Sequence, residues 1–410
     1  MMNIKNKKIL IIIGGGISAY KSLDLIRLLK KYNNEVKAIL TKSGKEFVTP
    51  LSVTVLTKNQ TFEGIFDKES EAEIDHISLS RWADIIIVMP TTANFMSKLC
   101  AGKAEDLATT VILASNKDIL LVPAMNVRMW IHKATQKNLR TLQDYGYLFL
   151  GPEKGEMACG EFGEGKMSSP RQILKYLEIY FNKRNLVKEK KLSALVTAGP
   201  TREYLDPVRY ISNESSGKQG YEIASALSRL GVKTKLIIGP SNLLSLKNVK
   251  TKSILTADEM FEAVKKSLPV DIAVCAAAIS DFKPIQKSKN KIKKTENNLQ
   301  ALEIEKNKDI LEFLGKNNRN RPKLVVGFSA ETTQIHKNSL TKMKKKNCDL
   351  IIANDVSKKD FGFNSDYNQV SIIDNNGNIK FIKKNRKSFI ANKIAEEILD
   401  KLLIDKKNFN

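Results

Sequence analysis

Glycine-rich turns follow two apolar segments of the chain. Gly14-Gly15-Gly16 follows the apolar run 8–13, and the turn 198–202 follows the apolar run 194–197, with Ser215-Ser216-Gly217 ahead of the next helical pattern. Glycine lacks the Cβ that would hold an anion away from the backbone, and the amides at a helix N-terminus attract negative charge. The sequence therefore predicts two phosphate-binding α/β units. The same turn also serves merely to pack a helix on a sheet, so it identifies no ligand by itself.

Three further segments of the first half carry polar groups next to predicted strands. Segments 90–94 and 123–130 each follow a strand pattern, so their side chains should face the same edge of the sheet as the first glycine turn. Segment 158–167 contains three glycines within six positions and one thiol, Cys159. This composition predicts a flexible lid that is neither helix nor strand.

The motifs GGGISAYKS, DHISLSRWAD, PTTANFMSK, PAMNVRMW and ACGEFGEGKM resemble, in this order, the phosphopantothenoylcysteine decarboxylases among the flavin-dependent cysteine decarboxylases. The resemblance implies that His76 is the active-site base or partner of the substrate carboxylate, that Asn126 holds the substrate carboxylate and amide, and that Cys159 donates a proton. Lys166 replaces the usual arginine, keeping the charge without the bidentate fork. The residues implied to bind flavin mononucleotide (FMN) are Gly15, Ile17, Ser18, Thr41, Thr91, Thr92 and Asn94.

This chemistry explains why a flavin and an acid are needed together. An N-acylcysteine carboxylate has no electron sink, so direct loss of CO₂ would leave an unstabilised carbanion. Oxidation of the CH–SH carbon to a thioaldehyde by a flavin provides that sink. The enethiolate formed on decarboxylation then returns to a thiol if reduced flavin and a proton donor act on it, a role that suits a thiol on a closing lid.

Segment 198–220 carries the densest motif of the second half. It is not a Walker A loop, because no glycine stands five residues before Gly217 and Gln219 replaces the magnesium-binding Ser or Thr. A kinase is therefore excluded. This segment and segments 276–284, 291–294, 326–332 and 353–356 resemble the phosphopantothenate–cysteine ligases. The whole chain thus resembles the bifunctional coenzyme A biosynthesis family.

The ligase resemblance implies that CTP converts a carboxylate into an acyl-cytidylate, from which the cysteine amine displaces CMP. Asn213 would stabilise the acyl-cytidylate, Lys291 would meet the phosphates, and Asp281 would bind Mg²⁺. Apart from this resemblance, the lysines of segment 289–294 would be interpreted as solvent-exposed surface charges. Lys308 replaces a frequent proline. The implied CTP-binding residues are Cys275, Ala276, Ala277, Asp281, Lys291, Lys308, Asp309, Ile310, Leu311, Phe328, Lys342 and Lys346.

Short apolar runs alternate with helical patterns in both halves, which predicts an α/β fold with two doubly wound parallel sheets. We expect a flavodoxin-like flavoprotein domain over residues 1–190 and a Rossmann-like ligase domain over 191–410. A helix should end near Phe181, followed by a linker over 182–191. An Asn-Gly turn at 375–378 predicts a late hairpin. The lysine-rich segment 288–298 should be a mobile loop unless a ligand orders it.

Composition bounds the class of protein. The 410 residues suffice for two or three domains, and the four cysteines and three histidines show no disulfide or metal-ligand spacing. We expect a cytoplasmic protein without a membrane segment. The net charge of +24 invites a nucleic-acid-binding alternative, but recognition motifs are missing. A monofunctional decarboxylase of peptidyl cysteine is the other alternative. The expected partners are 4′-phosphopantothenate, L-cysteine, CTP and, by family resemblance, further copies of the chain in trimeric and dimeric contacts.

Overall fold

Two α/β units follow each other along the chain. The computed structural model describes residues 4–64, 76–158, 160–246, 248–292, 302–317, 319–357 and 365–404. The chain divides into units Met1–Asn182 and Lys183–Asn410. No helix among these described residues combines the length and apolar character needed to cross a bilayer.

The first unit contains a six-stranded parallel sheet and a separate two-stranded hairpin. Its strands are β1 Lys8–Ile13, β2 Glu35–Leu40, β3 Thr61–Phe62, β4 Ile85–Thr91, β5 Ile119–Pro123, β6 Leu148–Phe149, β7 Glu153–Glu156 and β8 Phe162–Lys166. A 3₁₀ turn, Ile17–Ala19, precedes the helices α1 Tyr20–Lys31, α2 Pro50–Thr57, α3 His76–Trp82, α4 Ala93–Cys100, α5 Leu107–Ala114, α6 Val127–Ile131, α7 Lys133–Asp144 and α8 Pro170–Glu189.

The order of the large sheet is β3-β2-β1-β4-β5-β6. Without the two-residue edge strand β3, this is the flavodoxin-like order. Strand β1 is buried on both faces, because Ile9, Ile11 and Ile13 pack in one core and Leu10 and Ile12 in another. Strands that are buried on both faces have continuous apolar sequences, which is why the sequence predicted β1.

The second unit has an eight-stranded sheet of order β13-β12-β9-β14-β17-β18-β19-β20. Its strands are β9 Ser193–Ala198, β10 Glu203–Tyr204, β11 Tyr210–Ile211, β12 Lys233–Ile238, β13 Lys250–Ser253, β14 Ile272–Cys275, β15 Phe282–Pro284, β16 Ile304–Lys306, β17 Leu324–Glu331, β18 Leu350–Asp355, β19 Tyr367–Asp374 and β20 Ile379–Arg386. Its helices are α9 Lys218–Arg229, α10 Ala257–Lys265, α11 Ile310–Lys316, α12 Ile335–Lys346 and α13 Lys387–Ile404. The pairs from β13 to β18 are parallel, and β19 and β20 form the antiparallel late hairpin. The predicted fold class is confirmed.

Two local predictions were wrong. Helix α8 continues to Glu189 instead of ending near Phe181, because Val187 on its last turns is 1% exposed within the second unit's core. The lid segment contains strand β8, which pairs with β7 in an antiparallel hairpin. Its glycines permit close packing, since a Cβ on Gly163 would stand 2.9 Å from Val127 Cγ1.

Candidate functional site

A cavity of about 390 Å³ opens at the carboxyl ends of the first unit's strands. It lies where the strand order reverses, between β1 and β4, the usual ligand position in open α/β sheets. Residues Gly14–Gly16 after β1, residues 41–43 after β2 and the start of α4 form its walls. Gly16 has φ +150°, a backbone conformation that favours glycine over residues with a Cβ.

Four of the seven predicted flavin-binding residues line this cavity: Gly15, Thr41, Thr92 and Asn94. Ile17, Ser18 and Thr91 are not among its lining residues. Thr91 is fully buried, and its hydroxyl donates to Val88 O at 2.8 Å while accepting from Val122 N at 3.1 Å. The Thr91 hydroxyl therefore joins β4 to β5.

Sequence analysis missed Lys42, Ser43, Phe47, Phe95, Lys98 and Asp106, which also line the cavity. Lys42 and Ser43 follow closely after β2, which ends at Leu40, so the rule that parallel strands end at one edge of the sheet could have found them. Lys98 bonds Glu105 at 2.6 Å and Asp106 at 3.4 Å. The bond that Lys98 donates to Glu105 is the main reason that the pKa of Lys98 is raised, so this lysine stays protonated at the cavity while paired with two carboxylates.

Asn126 caps helix α6 and contacts the lid hairpin. Its Oδ1 accepts from Arg128 N at 2.7 Å, which directs the amide group. Its Nδ2 donates to Glu161 Oε2 at 2.6 Å. The cap thus uses the oxygen and presents the NH₂ group to a carboxylate, here that of Glu161. On the same hairpin, Glu164 accepts from Trp130 Nε1 at 3.2 Å.

The other two residues of the predicted decarboxylase centre are His76, which begins a described segment, and Cys159, which falls in a gap of the described chain. His76 is half-buried and is the first residue of α3. Cys159, which falls between β7 and β8 in the sequence, lies outside the described residues. Among the described neighbours, Met157 N donates to Glu161 O at 2.8 Å, beyond the paired residues of the β7–β8 hairpin.

The second unit has a cavity of about 460 Å³ at its own strand-order reversal, between β9 and β14. The loop 213–217 with the start of α9, residues 276–279 after β14, and residues 328–330 of β17 line it. Six predicted residues are brought together here: Asn213, Ala276, Ala277, Asp281, Phe328 and Lys342. Gly217 caps α9 with φ +73°, in the left-handed region that glycine tolerates.

Asn213 and Asp281 are held by backbone bonds at the rim of this cavity. Asn213 Nδ2 donates to Ile279 O at 2.8 Å, which fixes the Asn213 amide against the loop that follows β14. Asp281 O accepts from Asn307 N at 2.9 Å, and Asn307 Nδ2 also donates to Ser280 O at 2.8 Å. The carboxylate of Asp281 is therefore carried by a loop that Asn307 holds through two hydrogen bonds.

Sequence analysis missed Asn354, Asn368 and Lys387 as lining residues. Asn354 lies in a noted motif, whereas Asn368 and Lys387 come from the late hairpin and final helix, where no motif marked them. Lys387 is 5% exposed, and burial followed by repulsion from Lys218 lowers its pKa to about 8. Asn354 Oδ1 is buried without a hydrogen-bond partner. The cavity wall therefore carries a buried lysine and a hydrogen-bond acceptor without a donor.

The remaining predicted CTP-binding residues do not line the described cavity. Lys346 forms ion pairs with Asp309 at 2.9 Å and with Glu312 at 2.7 Å. Lys308 lies over the Phe261 ring at 4.9 Å. Ile310 and Leu311 are buried in α11, and burial raises the pKa of the Cys275 thiol. Lys291 is exposed on the loop after β15.

Comparison with known proteins agrees with the two-unit architecture. Residues 2–181 match the Flavoprotein family, and residues 189–402 match the family of the DNA/pantothenate metabolism flavoprotein C-terminal domain. The coenzyme A biosynthesis bifunctional protein CoaBC of Haemophilus influenzae (strain ATCC 51907 / DSM 11121 / KW20 / Rd) is 40% identical over 398 residues, 97% of this chain and 98% of that protein. CoaBC of Escherichia coli (strain K12) is 38% identical over 410 residues, 99% of this chain and 100% of that protein.

A solved structure of the C-terminal domain of a CoaBC protein is 32% identical and covers 52% of this chain and 97% of that chain, with a TM-score of 0.44. The two family matches divide nearly the whole sequence between them, and the relatives align over nearly their full length. The chain therefore belongs to the family of coenzyme A biosynthesis bifunctional proteins.

Proposed function

We propose that this chain catalyses two successive reactions of coenzyme A biosynthesis. The first is CTP-dependent ligation of cysteine to 4′-phosphopantothenate, and the second is FMN-dependent decarboxylation of the product to 4′-phosphopantetheine. One observation carries the proposal: each unit has a cavity at its strand-order reversal, lined by residues that the matching family motif supplies. We assign the decarboxylase to residues 1–190 and the ligase to residues 191–410.

The first cavity has groups that suit FMN. A phosphate would be held by the backbone of Gly14–Gly16, which carries no side chains, and by Lys42 and Lys98. Phe47 and Phe95 offer apolar contacts for a planar ring. The cavity volume lies within the usual range for ligand pockets. When bound, a flavin supplies the reversible two-electron oxidation that makes cysteine decarboxylation feasible.

Residues near this cavity would then act on the substrate. The Asn126 NH₂ group would donate to the substrate carboxylate, replacing its bond to Glu161. His76 would act as the base or as the partner of the substrate carboxylate. The Cys159 thiol would donate the proton that is needed to convert the enethiolate into the thiol product. Closure of the β7–β8 hairpin would exclude water during these steps.

The second cavity suits a triphosphate. Lys218, Lys342 and Lys387 surround it, and the Gly217 cap leaves the α9 N-terminus directed at the same space. Asn213 would stabilise the acyl-cytidylate. Asp281 and Glu214 are the two carboxylate residues that line the described cavity, and Mg²⁺ is often held by one or two carboxylates together with substrate phosphates. The described residues contain no cluster of three or more metal-ligating side chains, so the phosphates would supply most of the other ligands.

We also propose that the chain self-associates, with decarboxylase trimers joined through ligase dimers. Two apolar side chains one turn apart on α2 support this, since Leu51 is 73% exposed and Val55 is 64% exposed. Light scattering of the purified protein tests the proposal, and a monomer at micromolar concentration would contradict it.

The reaction is tested by incubating the protein with FMN, 4′-phosphopantothenate, cysteine, CTP and Mg²⁺ and reading products by mass spectrometry. We expect 4′-phosphopantetheine, CMP and pyrophosphate. Cys159→Ser should accumulate 4′-phosphopantothenoylcysteine, and Asn213→Ala should form little of it. Absence of any CTP-dependent product would refute the proposal, and a wild-type yield from Cys159→Ser would remove that thiol from the mechanism.

A further inference from the structure

A tight turn in the second unit is bonded to the loop that carries Lys291. The hairpin β10–β11 turns at residues 205–209, and Leu205 O accepts from Ser288 N at 2.9 Å. Asp206 Oδ2 accepts from Ile292 N at 3.2 Å, and Arg209 Nη1 donates to Ile292 O at 3.2 Å. Both backbone polar groups of the residue that follows Lys291 are therefore held by the turn. Residues 288–292 are thus anchored by protein contacts, whereas the sequence predicted a mobile loop there unless a ligand orders it; residues 293–298 lie outside the described structure.

The carboxylate of Asp206 is buried, and both of its oxygens accept hydrogen bonds. Its residue is 2% exposed, and its Oδ1 accepts from Val208 N at 2.7 Å and Arg209 N at 2.8 Å. Arg209 Nη1 reaches Oδ2 at 3.1 Å. Burial opposes ionisation, but the amides of residues 208, 209 and 292 together with Arg209 hold the pKa of Asp206 below its usual range. The side chain is therefore an ionised acceptor for all of these donors.

Closing the hairpin does not require the bond to the loop. An aspartate that accepts from the amides two and three residues ahead forms a local turn by itself. The bond to Ile292 joins positions 86 residues apart in the sequence. Oδ2 thus serves the lysine loop, while Oδ1 serves the turn.

We propose that Asp206 is a positioning residue for the nucleotide step: by holding Ile292, it keeps the backbone of Lys291 in place to meet the triphosphate. The inference rests on the proposed ligase function. A loop ordered in advance loses less conformational entropy when the ligand binds, so anchoring should appear as a higher kcat/KM for CTP.

Replacing Asp206 with asparagine separates the two roles of the carboxylate. The amide oxygen can still close the turn, but the NH₂ group cannot accept from Ile292 N. We expect D206N to lower kcat/KM for CTP about tenfold, the effect of one lost charged hydrogen bond. The KM for cysteine and the decarboxylation of supplied 4′-phosphopantothenoylcysteine should stay unchanged. Tryptic cleavage after Lys289 or Lys291, mapped by mass spectrometry, should accelerate.

A matched control exists in the same unit. Asp374 Oδ1 also closes a turn, accepting from Asn376 N and Asn378 N, both at 2.9 Å, but it does not bond the lysine loop. D374N should lower the unfolding temperature about as much as D206N while leaving kcat/KM for CTP unchanged. Equal kinetic losses in the two variants would overturn the positioning role, because general destabilisation would then explain both.

A double-mutant cycle decides whether Asp206 acts through Lys291. If it does, D206N should cost little in a K291A background. A full tenfold loss in that background would overturn the inference. K291A as active as the wild type would instead refute the phosphate role of Lys291, and the positioning role with it, while leaving the ligase activity itself intact.

A second variant covers the case in which D206N does not fold. R209K keeps the carboxylate and the two turn bonds but removes the guanidinium bond to Ile292 O. We expect a loss that is again specific to CTP but smaller than that of D206N, about threefold in kcat/KM, as for one weaker hydrogen bond. An R209K protein with an unchanged kcat/KM for CTP and unchanged tryptic cleavage would refute the clamp.

Discussion

Replacing Asn126 with aspartate tests the orientation of its amide. Aspartate caps a helix as well as asparagine does, so the bonds to Arg128 N and Met129 N should survive. The Nδ2 donor, which now contacts Glu161 Oε2 at 2.6 Å, becomes a second acceptor. The substitution therefore changes one atom group at the proposed carboxylate subsite and keeps the local fold.

The expected magnitudes differ between folding and catalysis. The Asn126–Glu161 bond is exposed, so losing it and opposing two carboxylates in water should cost about 1 kcal/mol of folding free energy. A lost hydrogen bond to a charged substrate costs about 1.5–3 kcal/mol, or roughly 10–150-fold in kcat/KM, and repulsion adds to this. We therefore expect a decarboxylation loss of at least about 100-fold.

The assay supplies 4′-phosphopantothenoylcysteine directly and measures CO₂ release, with FMN content and ligation as internal controls. Asn126→Ser keeps a cap oxygen and removes the donor without adding charge, so its loss should be about tenfold smaller than that of Asn126→Asp. Wild-type decarboxylation by Asn126→Asp, with FMN bound, would show that the Asn126 NH₂ group does not bind the substrate carboxylate.

Three further predictions follow from single contacts. Thr91→Val should lower the free energy of unfolding by about 1–3 kcal/mol, because it leaves Val122 N buried without an acceptor, while FMN bound per chain stays unchanged; FMN loss without destabilisation would contradict this. Gly217→Ala should cost about 1–2 kcal/mol from its positive φ and raise the KM for CTP, checked by chemical unfolding and initial rates, with decarboxylation as the unaffected control. The pKa of Lys387 is lowered to about 8 by burial and Lys218, whereas the unfolded chain titrates near 10.5. The unfolded state then binds more protons from about pH 8 to 10.5, so wild-type stability should rise with pH there relative to Lys387→Met, and parallel slopes would refute the shift.

Much of the fold was readable from the sequence because buried parallel strands leave continuous apolar runs. Strand β1 has the bounds that its run predicted, and β9 extends one residue beyond each end of the run 194–197. The two-residue strand β3 and the hairpin β10–β11 carry no such run and were missed. Hairpin β7–β8 was missed for another reason, since its glycines serve close packing rather than flexibility.

The site was predictable where its residues directly follow neighbouring parallel strands. Loops that end adjacent parallel strands meet at one edge, so Gly15, Thr41 and Thr92 fall together. Lys387 could not be found this way, because it begins a helix that follows the antiparallel hairpin, and only tertiary packing brings it to the cavity. Thr91 shows the opposite case, since the hydroxyl of this predicted flavin-binding residue bonds within the sheet.

The lysines of the second cavity favour an anionic ligand, because burial and mutual repulsion disfavour the charged form of Lys387. Lys387 is 5% exposed, and its ammonium is disfavoured by burial and by Lys218, whose own charge is offset through the bond to Asp366 at 2.5 Å. Local rules are broken in this way mainly at functional sites. A polyanion would restore the charged form of Lys387, so binding should take up a proton near pH 8. The affinity for a triphosphate should therefore fall as the pH rises through about 8, more steeply than in Lys387→Met.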